Sequence, residues 1–386
     1  MNDPNGLVYS KGRYHLFFQY NPEGIDHGNL SWGHATSTDL ISWEEHPVAL
    51  RNDEIGMIFS GSAAVDHQNT SGFGSLESPP MVAIYTNHTD TNQSQHIAYS
   101  NDDGLTWSKY AGNPVLDWNL AEFRDPKVMW DEKRGHWLMS LARPHEHQIS
   151  FYSSGDLKSW QHLSDFGPVG AIGGVWECPD LFELSCEGGS KWVLIVSLNP
   201  GGLQGGSGTQ YFIGDFDGVT FTQTQFLNET KWLDFGADYY AAVSFNDAPD
   251  NRRIMIGWMS NWDYAKLLPT EPFRGQMSIP REITLENRGG QITLIQRPVI
   301  EAGKYAIDLD PSQLPFKVNE HVTIGWDDAS SAIYLDRSAS SHAGGVHRAP
   351  VTPSLKETAV KYILDSTSVE LFINDGEATI TDLFFN

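Results

Sequence analysis

Three carboxylates in this chain sit beside amides, cations or prolines at the start of strand-like runs, and residues of these types can do acid/base chemistry. The first is Asp3 in Asn2-Asp3-Pro4-Asn5-Gly6, just ahead of Leu7-Val8-Tyr9. Taken alone, Asp-Pro-Asn-Gly reads as a turn, because these residue types build turns. Recurrence changes that reading: Phe123-Arg124-Asp125-Pro126 and Trp176-Glu177-Cys178-Pro179-Asp180 open later runs in the same way. Three carboxyls without a metal-ligand set fit proton transfer and nucleophilic attack on an uncharged substrate, which is what glycoside cleavage requires. One carboxyl must be ionised and another protonated, and like charges at close range drive their pKa values apart. Arg124 is expected to hold adjacent Asp125 ionised. Glu177, between Trp176 and Cys178, is expected to have the most apolar setting and therefore to be the acid/base. Trp32, Trp176, Tyr239 and Trp262 are candidates to stack on sugar C–H faces.

These groups are far apart in sequence, so the fold must bring them together. A short pattern of Ser or Asp, a turn and an aromatic appears in Ser37-Thr38-Asp39-Leu40-Ile41-Ser42-Trp43 and returns at Ser100 to Trp107, Ser154 to Trp160 and Asp215 to Phe221. Each reads as a tight hairpin. Ahead of each hairpin lies an apolar run, and ahead of that an opening strand; a fifth set has openings at Asp238 to Val243 and a buried run at Ile254 to Met259. Five repeats of four strands describe an all-β, five-bladed β-propeller. First strands lie innermost in such a fold, so Asp3, Asp125 and Glu177 are expected at one end of a central channel, beside Ser60 and Asp238. After Pro298 the repeat stops and short alternating runs follow, which predict a small β-sandwich. The expected division is a propeller over 1–298 and a sandwich over 299–386, with few strands for two full sheets and a need to lean on the propeller.

Composition narrows the partners. With 25 Lys and Arg against 49 Asp and Glu, the net charge of −24 repels phosphates and anionic membranes, so no nucleic acid or membrane partner is expected. No run approaches the roughly 18 apolar residues of a membrane span. No cofactor or metal is expected; His145 and His147 are read as loop polarity. Cys178 and Cys186 are too far apart along one strand to pair. Asn29, Asn69, Asn87, Asn92 and Asn228 begin Asn-x-Ser/Thr sequons, which favours a secreted glycoprotein. No leader precedes Met1, and a chain that opens inside its most informative motif is expected to lack preceding residues.

Together the motifs around Asp3, Asp125 and Glu177 resemble those of glycoside hydrolase family 32, the β-fructofuranosidases that include invertases, exo-inulinases and levanases. The resemblance extends to Phe18-Gln19-Tyr20-Asn21-Pro22, Trp32-Gly33-His34, Phe59-Ser60-Gly61-Ser62, Asp234 to Tyr240, Asn261-Trp262 and Val369 to Gly376, and so spans nearly the whole chain. It implies a retaining double displacement on sucrose, inulin or levan, with Asp3 as nucleophile, Glu177 as acid/base, and Asp125 with Arg124 binding fructose hydroxyls and stabilising the transition state. It also implies a fructose subsite lined by Asn2, Asn5, Gln19, Phe59, Ser60 and Trp262. Three departures accompany it: nothing but Met1 precedes the first motif, which leaves the closing of the outer propeller open; the sandwich is shortened; and His27 stands where the family often has Trp. A strongly negative pocket is expected to raise the pKa of His27. A fructosyltransferase using the same residues and an inactive carbohydrate-binding propeller are the alternatives.

Overall fold

The computed structural model describes residues 1–351, 355 and 358–386. Five antiparallel sheets come first, each running outward in chain order. The first comprises Pro4–Ser10, Arg13–Tyr20, Ser31–Ser37 and Glu44–Leu50. The later four begin at Met57–Val65, Arg124–Asp131, Val175–Cys186 and Tyr240–Ser244. These first strands neighbour one another in a closed ring around the channel. The second and third strands are buried, the second carrying an apolar run such as Leu16-Phe17-Phe18 and the third mixing polar and apolar residues; Glu44–Leu50, outermost in its blade, is largely solvated.

The recurring hairpin has a local cause. Asp39 accepts hydrogen bonds from the backbone N–H groups of Ile41 (2.9 Å) and Ser42 (2.7 Å), and the Trp43 indole N–H donates back to the Leu40 carbonyl (3.2 Å). Asp156 with Trp160 repeats this arrangement, and Asp102 with Trp107 closely follows it. Such bonds satisfy turn amides without partners in the sheet. Ring closure is also explicit. Val8 and Asn246 form a parallel bridge, and the Asn246 side-chain amide donates to the carbonyls of Ala63 (2.8 Å) and Val128 (2.9 Å). One side chain thus ties the last blade to the second and third.

Each first strand breaks register with its neighbour near its beginning: at Asn5/Val8, Ile58/Gly61, Arg124/Lys127, Glu177/Asp180 and Tyr240/Val243. In three of these bulges the residue after the first is non-glycine with positive φ: Asp125 (66°), Cys178 (48°) and Ala241 (53°). A bulge re-aims the side chains around it, and strain of this kind persists where surrounding structure holds it. Here the bulges turn Arg124, Glu177 and Tyr240, at matching positions in three blades, toward one another.

The remaining strands make two facing sheets. One holds Ile307–Leu309, Val360–Leu364, Ser368–Ile373 and Ala378–Leu383; the other holds Phe316–Lys317, Thr323–Asp327, Ala332–Asp336 and Val346–Pro350. The expected small sandwich is present, and among the described residues strands of two to six residues place four in each sheet. Ile324, Ile333, Leu335, Leu371, Ile373 and Ile380 fill the space between the sheets. The sandwich does lean on the propeller, through buried charge. Arg281, fully enclosed, reaches Asp234 (2.9 Å) and Glu370 (2.6 Å) beneath the Tyr239 ring (4.1 Å). Cys178 and Cys186 lie on one strand and are unpaired, as their spacing predicts.

Candidate active site

The bulged strand starts open into a cavity of about 440 Å³ at one end of the channel, within the range of small-molecule sites. Asn2, Asp3, Gln19, His27, Phe59, Ser60, Arg124, Asp125, Glu177 and Trp262 all line it. Asn5 does not: its Oδ1 accepts the Gly61 N–H (3.3 Å), so it braces the neighbouring bulge from behind the wall.

Asp3 is held from both sides. Its carbonyl accepts from Gln19 N–H (3.0 Å), Asn2 Nδ2 donates to Oδ1 (3.2 Å), and Ser60 Oγ donates to Oδ2 (2.6 Å). Burial raises the Asp3 pKa above the ordinary carboxylate range, the Ser60 bond opposes that rise, and the Glu177 charge adds to it. Asp125 lies across the channel with Oδ2 accepting the Cys178 N–H (2.9 Å). Burial pushes it up to about 7, with Arg124 opposing and the charges of Glu177 and Asp3 adding. The Cys178 thiol lies between the two aspartates, 3.7 Å from Asp3 Oδ2 and 3.6 Å from Asp125 Oδ2. Burial and the flanking carboxylates raise its pKa, so it is present as the thiol, a donor available to either oxygen.

Glu177 differs from its expectation. Its side chain is 21% exposed against 6% for Asp125, so Asp125 and not Glu177 has the drier setting of that pair. The Arg124 fork also turns away from its chain neighbour: Nε and Nη2 each donate to Glu177 Oε1 at 3.0 Å, while the nearest approach to Asp125 is 4.0 Å. The positive φ of Asp125 separates the two side chains. Tyr240 donates its hydroxyl to Glu177 Oε2, and Arg124 Nη1 is braced by Glu122 and by Gln93 Oε1 (3.3 Å). Gln93 in turn accepts the Phe123 N–H (2.7 Å) and donates to His88 (3.2 Å), provided His88 Nδ1 carries the lone pair.

Of the four aromatics expected to face a sugar, one reaches the cavity. Trp262 lines the cavity, but Trp32 is buried beneath it, donating to the Phe59 carbonyl (3.0 Å). Trp176 is buried with its indole on the Ala171 carbonyl (2.8 Å), and Tyr239 covers Arg281. Tyr239, just ahead of the strand, is buried on Arg281, and Tyr240, the first strand residue, reaches the cavity. Phe59 stacks on His88 (4.1 Å), and His27 meets Trp262 edge to face (5.2 Å), so two aromatic pairs wall the opening. The pKa of His27 is lowered, not raised: loss of water against these walls outweighs the attraction of Asp3 and Glu177. Asp238 is likewise corrected. It is buried against Arg337 of the sandwich (2.6 Å) and the Tyr264 hydroxyl (2.5 Å), away from the channel.

Sequence reasoning missed His88, Gln93, Glu122, Asn199, Tyr240 and Lys266, which also line the cavity. Only Tyr240 carried a signal, as one of two adjacent tyrosines in a matched motif. Both amide atoms of buried Gln19 lack a partner among the described residues, as does Asn5 Nδ2. The unmet Gln19 amide atoms at the cavity wall suit a ligand rich in hydroxyls.

The family model for the glycosyl hydrolases family 32 N-terminal domain matches residues 1–298, and that for the family 32 C-terminal domain matches 306–386. A levanase of Bacillus subtilis (strain 168) is 44% identical over 99% of this chain, which spans 64% of that protein's length. An extracellular exo-inulinase of Aspergillus ficuum is 40% identical over the whole chain and 87% of its own length. The crystal structure of an exo-inulinase from Aspergillus awamori superposes with a TM-score of 0.91 at 38% identity, covering all of this chain and 90% of that one. With both family models matched in order along a propeller and a sandwich, the chain belongs to glycosyl hydrolase family 32.

Proposed function

We propose that this protein is a retaining β-fructofuranosidase that releases terminal fructosyl units from sucrose or fructans. The observation that carries this reading is the pairing of two differently supported carboxylates in one cavity: Asp3, gripped by Ser60 and Asn2, and Glu177, gripped by Arg124 and Tyr240. In the first step an Asp3 oxygen attacks the anomeric carbon of fructose while the bond from that carbon to the leaving sugar's oxygen breaks and Glu177 gives the leaving oxygen its proton. In the second, water attacks the same carbon, Glu177 takes the water's proton, and Asp3 departs as carboxylate. Asp125, Asn2 and Gln19 hold the fructose hydroxyls; Arg124 positions Glu177. The chain divides, on this reading, into a catalytic propeller over 1–298 and a supporting sandwich over 299–386.

Secretion belongs to the same proposal and is supported by the extracellular relative. Of the sequons, Asn228 is exposed, whereas Asn87 is buried in a strand and closed to glycosylation in the folded state. Incubation with sucrose and with inulin, followed by chromatography of glucose, fructose and oligosaccharides over time, tests the activity. Accumulating free fructose is expected. Longer oligosaccharides in its place would indicate transfer, and unchanged sugars would reject the proposal.

A further inference from the structure

Trp262 and Lys266 line the cavity from one short loop, while Tyr264, between them, points the opposite way. The loop is shaped by its own backbone: Asn261 caps it, with its carbonyl accepting from Ala265 N–H (2.8 Å) and its Oδ1 from Asp263 N–H (3.0 Å). Its outer side rests on the sandwich. The Tyr264 hydroxyl donates to Asp238 Oδ1 (2.5 Å) and accepts from Arg337 Nη2 (3.0 Å). Arg337 Nη1 donates to Asp238 Oδ2 (2.6 Å) and to the Leu383 carbonyl (2.7 Å), and Leu383 N–H donates to the same Asp238 oxygen (2.9 Å). Apolar contact follows the same line, with Met259 and Leu268 of the loop packed on Leu383 and Phe385.

We infer that Arg337 and Tyr264 are positioning residues by which the sandwich sets the Trp262 wall of the catalytic cavity. No atom of either lines the cavity, so any effect on substrate passes through the loop. A planar guanidinium satisfies Asp238, Tyr264 and a backbone carbonyl at once, a fork that lysine does not reproduce. The buried Asp238 carboxylate gives the network one preferred arrangement, because moving the loop breaks the bond between the tyrosine hydroxyl and Asp238 Oδ1 inside a buried site. The consequence is a sandwich that contributes to substrate affinity without touching substrate.

This inference rests on the fructosyl-cavity reading, and sucrose hydrolysis by the unmodified protein tests that reading separately. For the inference itself, Tyr264→Phe removes one hydroxyl and keeps the ring in place. It is expected to raise KM for sucrose about five-fold while kcat stays within about two-fold, since wall position governs binding more than the reacting groups. Arg337→Lys, which keeps the charge beside Asp238, is expected to give the same split. In a Trp262→Ala background, Tyr264→Phe should add no further rise in KM, because the residue it acts through is gone. An unchanged KM in both single variants overturns the inference, as does an equal rise with and without Trp262. A fall in kcat at constant KM also overturns it, because that pattern assigns the network to Tyr240 and Glu177.

Discussion

Arg124 Nε and Nη2 both donate to one oxygen of Glu177 at 3.0 Å. Charge-assisted bonds of this kind fix orientation as well as charge. With Tyr240 on the other oxygen, Glu177 is aimed across the cavity, and the remaining guanidinium nitrogen is itself anchored by Glu122 and Gln93. Arg124→Lys should therefore lower kcat by about 10²-fold with a smaller change in KM, because Glu177, the proposed proton donor, loses its aim. Tyr240→Phe should cost about ten-fold, the loss of one hydrogen bond. Steady-state kinetics on sucrose checks both, and wild-type kcat in Arg124→Lys would remove Arg124 from the mechanism.

Ser60 supports Asp3, the proposed nucleophile, electrostatically. Its hydroxyl lowers an Asp3 pKa that burial has raised. Asp3 must be ionised to attack, so kcat/KM falls as pH drops through its pKa. Ser60→Ala removes the stabilising bond and should move the acid limb of the kcat/KM profile to higher pH. An acid limb that stays in place would mean another group sets it.

A third expectation concerns stability in acid. His15 and His34 stack in the first blade and share a hydrogen bond of 3.1 Å between Nδ1 and Nε2, which requires one of the two nitrogens to be unprotonated. Burial is the main cause that lowers His15 to about 4 and His34 to about 3; Asp103 opposes it at His15, while His46 adds to it at both. The unfolded chain takes up these protons near 6.5 and the folded chain only near 4 and 3. The pair therefore contributes stability above about pH 6.5 that is lost as pH falls toward 4. Asp125, raised to about 7, has the opposite sign: the folded state holds its proton where the unfolded chain has released it. Tm measured from pH 7 to pH 4 should fall less in His34→Gln than in wild type, and more in Asp125→Asn. Parallel curves would show that neither group governs acid stability.

Legibility in the sequence followed the range of the interaction. The blade repeat was readable because its signal, an Asp that caps a turn and an indole that closes it, lies within seven residues, as in Ser37 to Trp43. The three carboxylates were readable because each sits at a strand start of the repeat. The partner of Arg124 was not, since its choice depends on a bulge that turns Asp125 to positive φ and on Glu177, 53 residues away. The docking roles of Asp234, Asp238 and Glu370 were hidden for the same reason: their partners Arg281 and Arg337 come from distant strands, 47 to 99 positions along the chain.

His27 is a place where this chain can be altered for gain. Its imidazole meets Trp262 edge to face at the mouth of the cavity. His27→Trp adds apolar area on that wall and should lower KM for sucrose about two- to five-fold with kcat within a few-fold. Because the cavity walls lower the His27 pKa, any contribution of its protonation to KM lies below the usual imidazole range and should vanish in the variant. Identical KM and identical pH dependence in the two proteins would leave His27 without a role in binding.

The central claim is a covalent fructosyl–Asp3 intermediate resolved by water under the control of Glu177. Two successive displacements at one carbon restore its configuration. NMR spectra recorded in the first minutes of sucrose hydrolysis, before the released sugar equilibrates, distinguish the anomers directly. The account predicts β-fructofuranose as the first product; α-fructofuranose would contradict it.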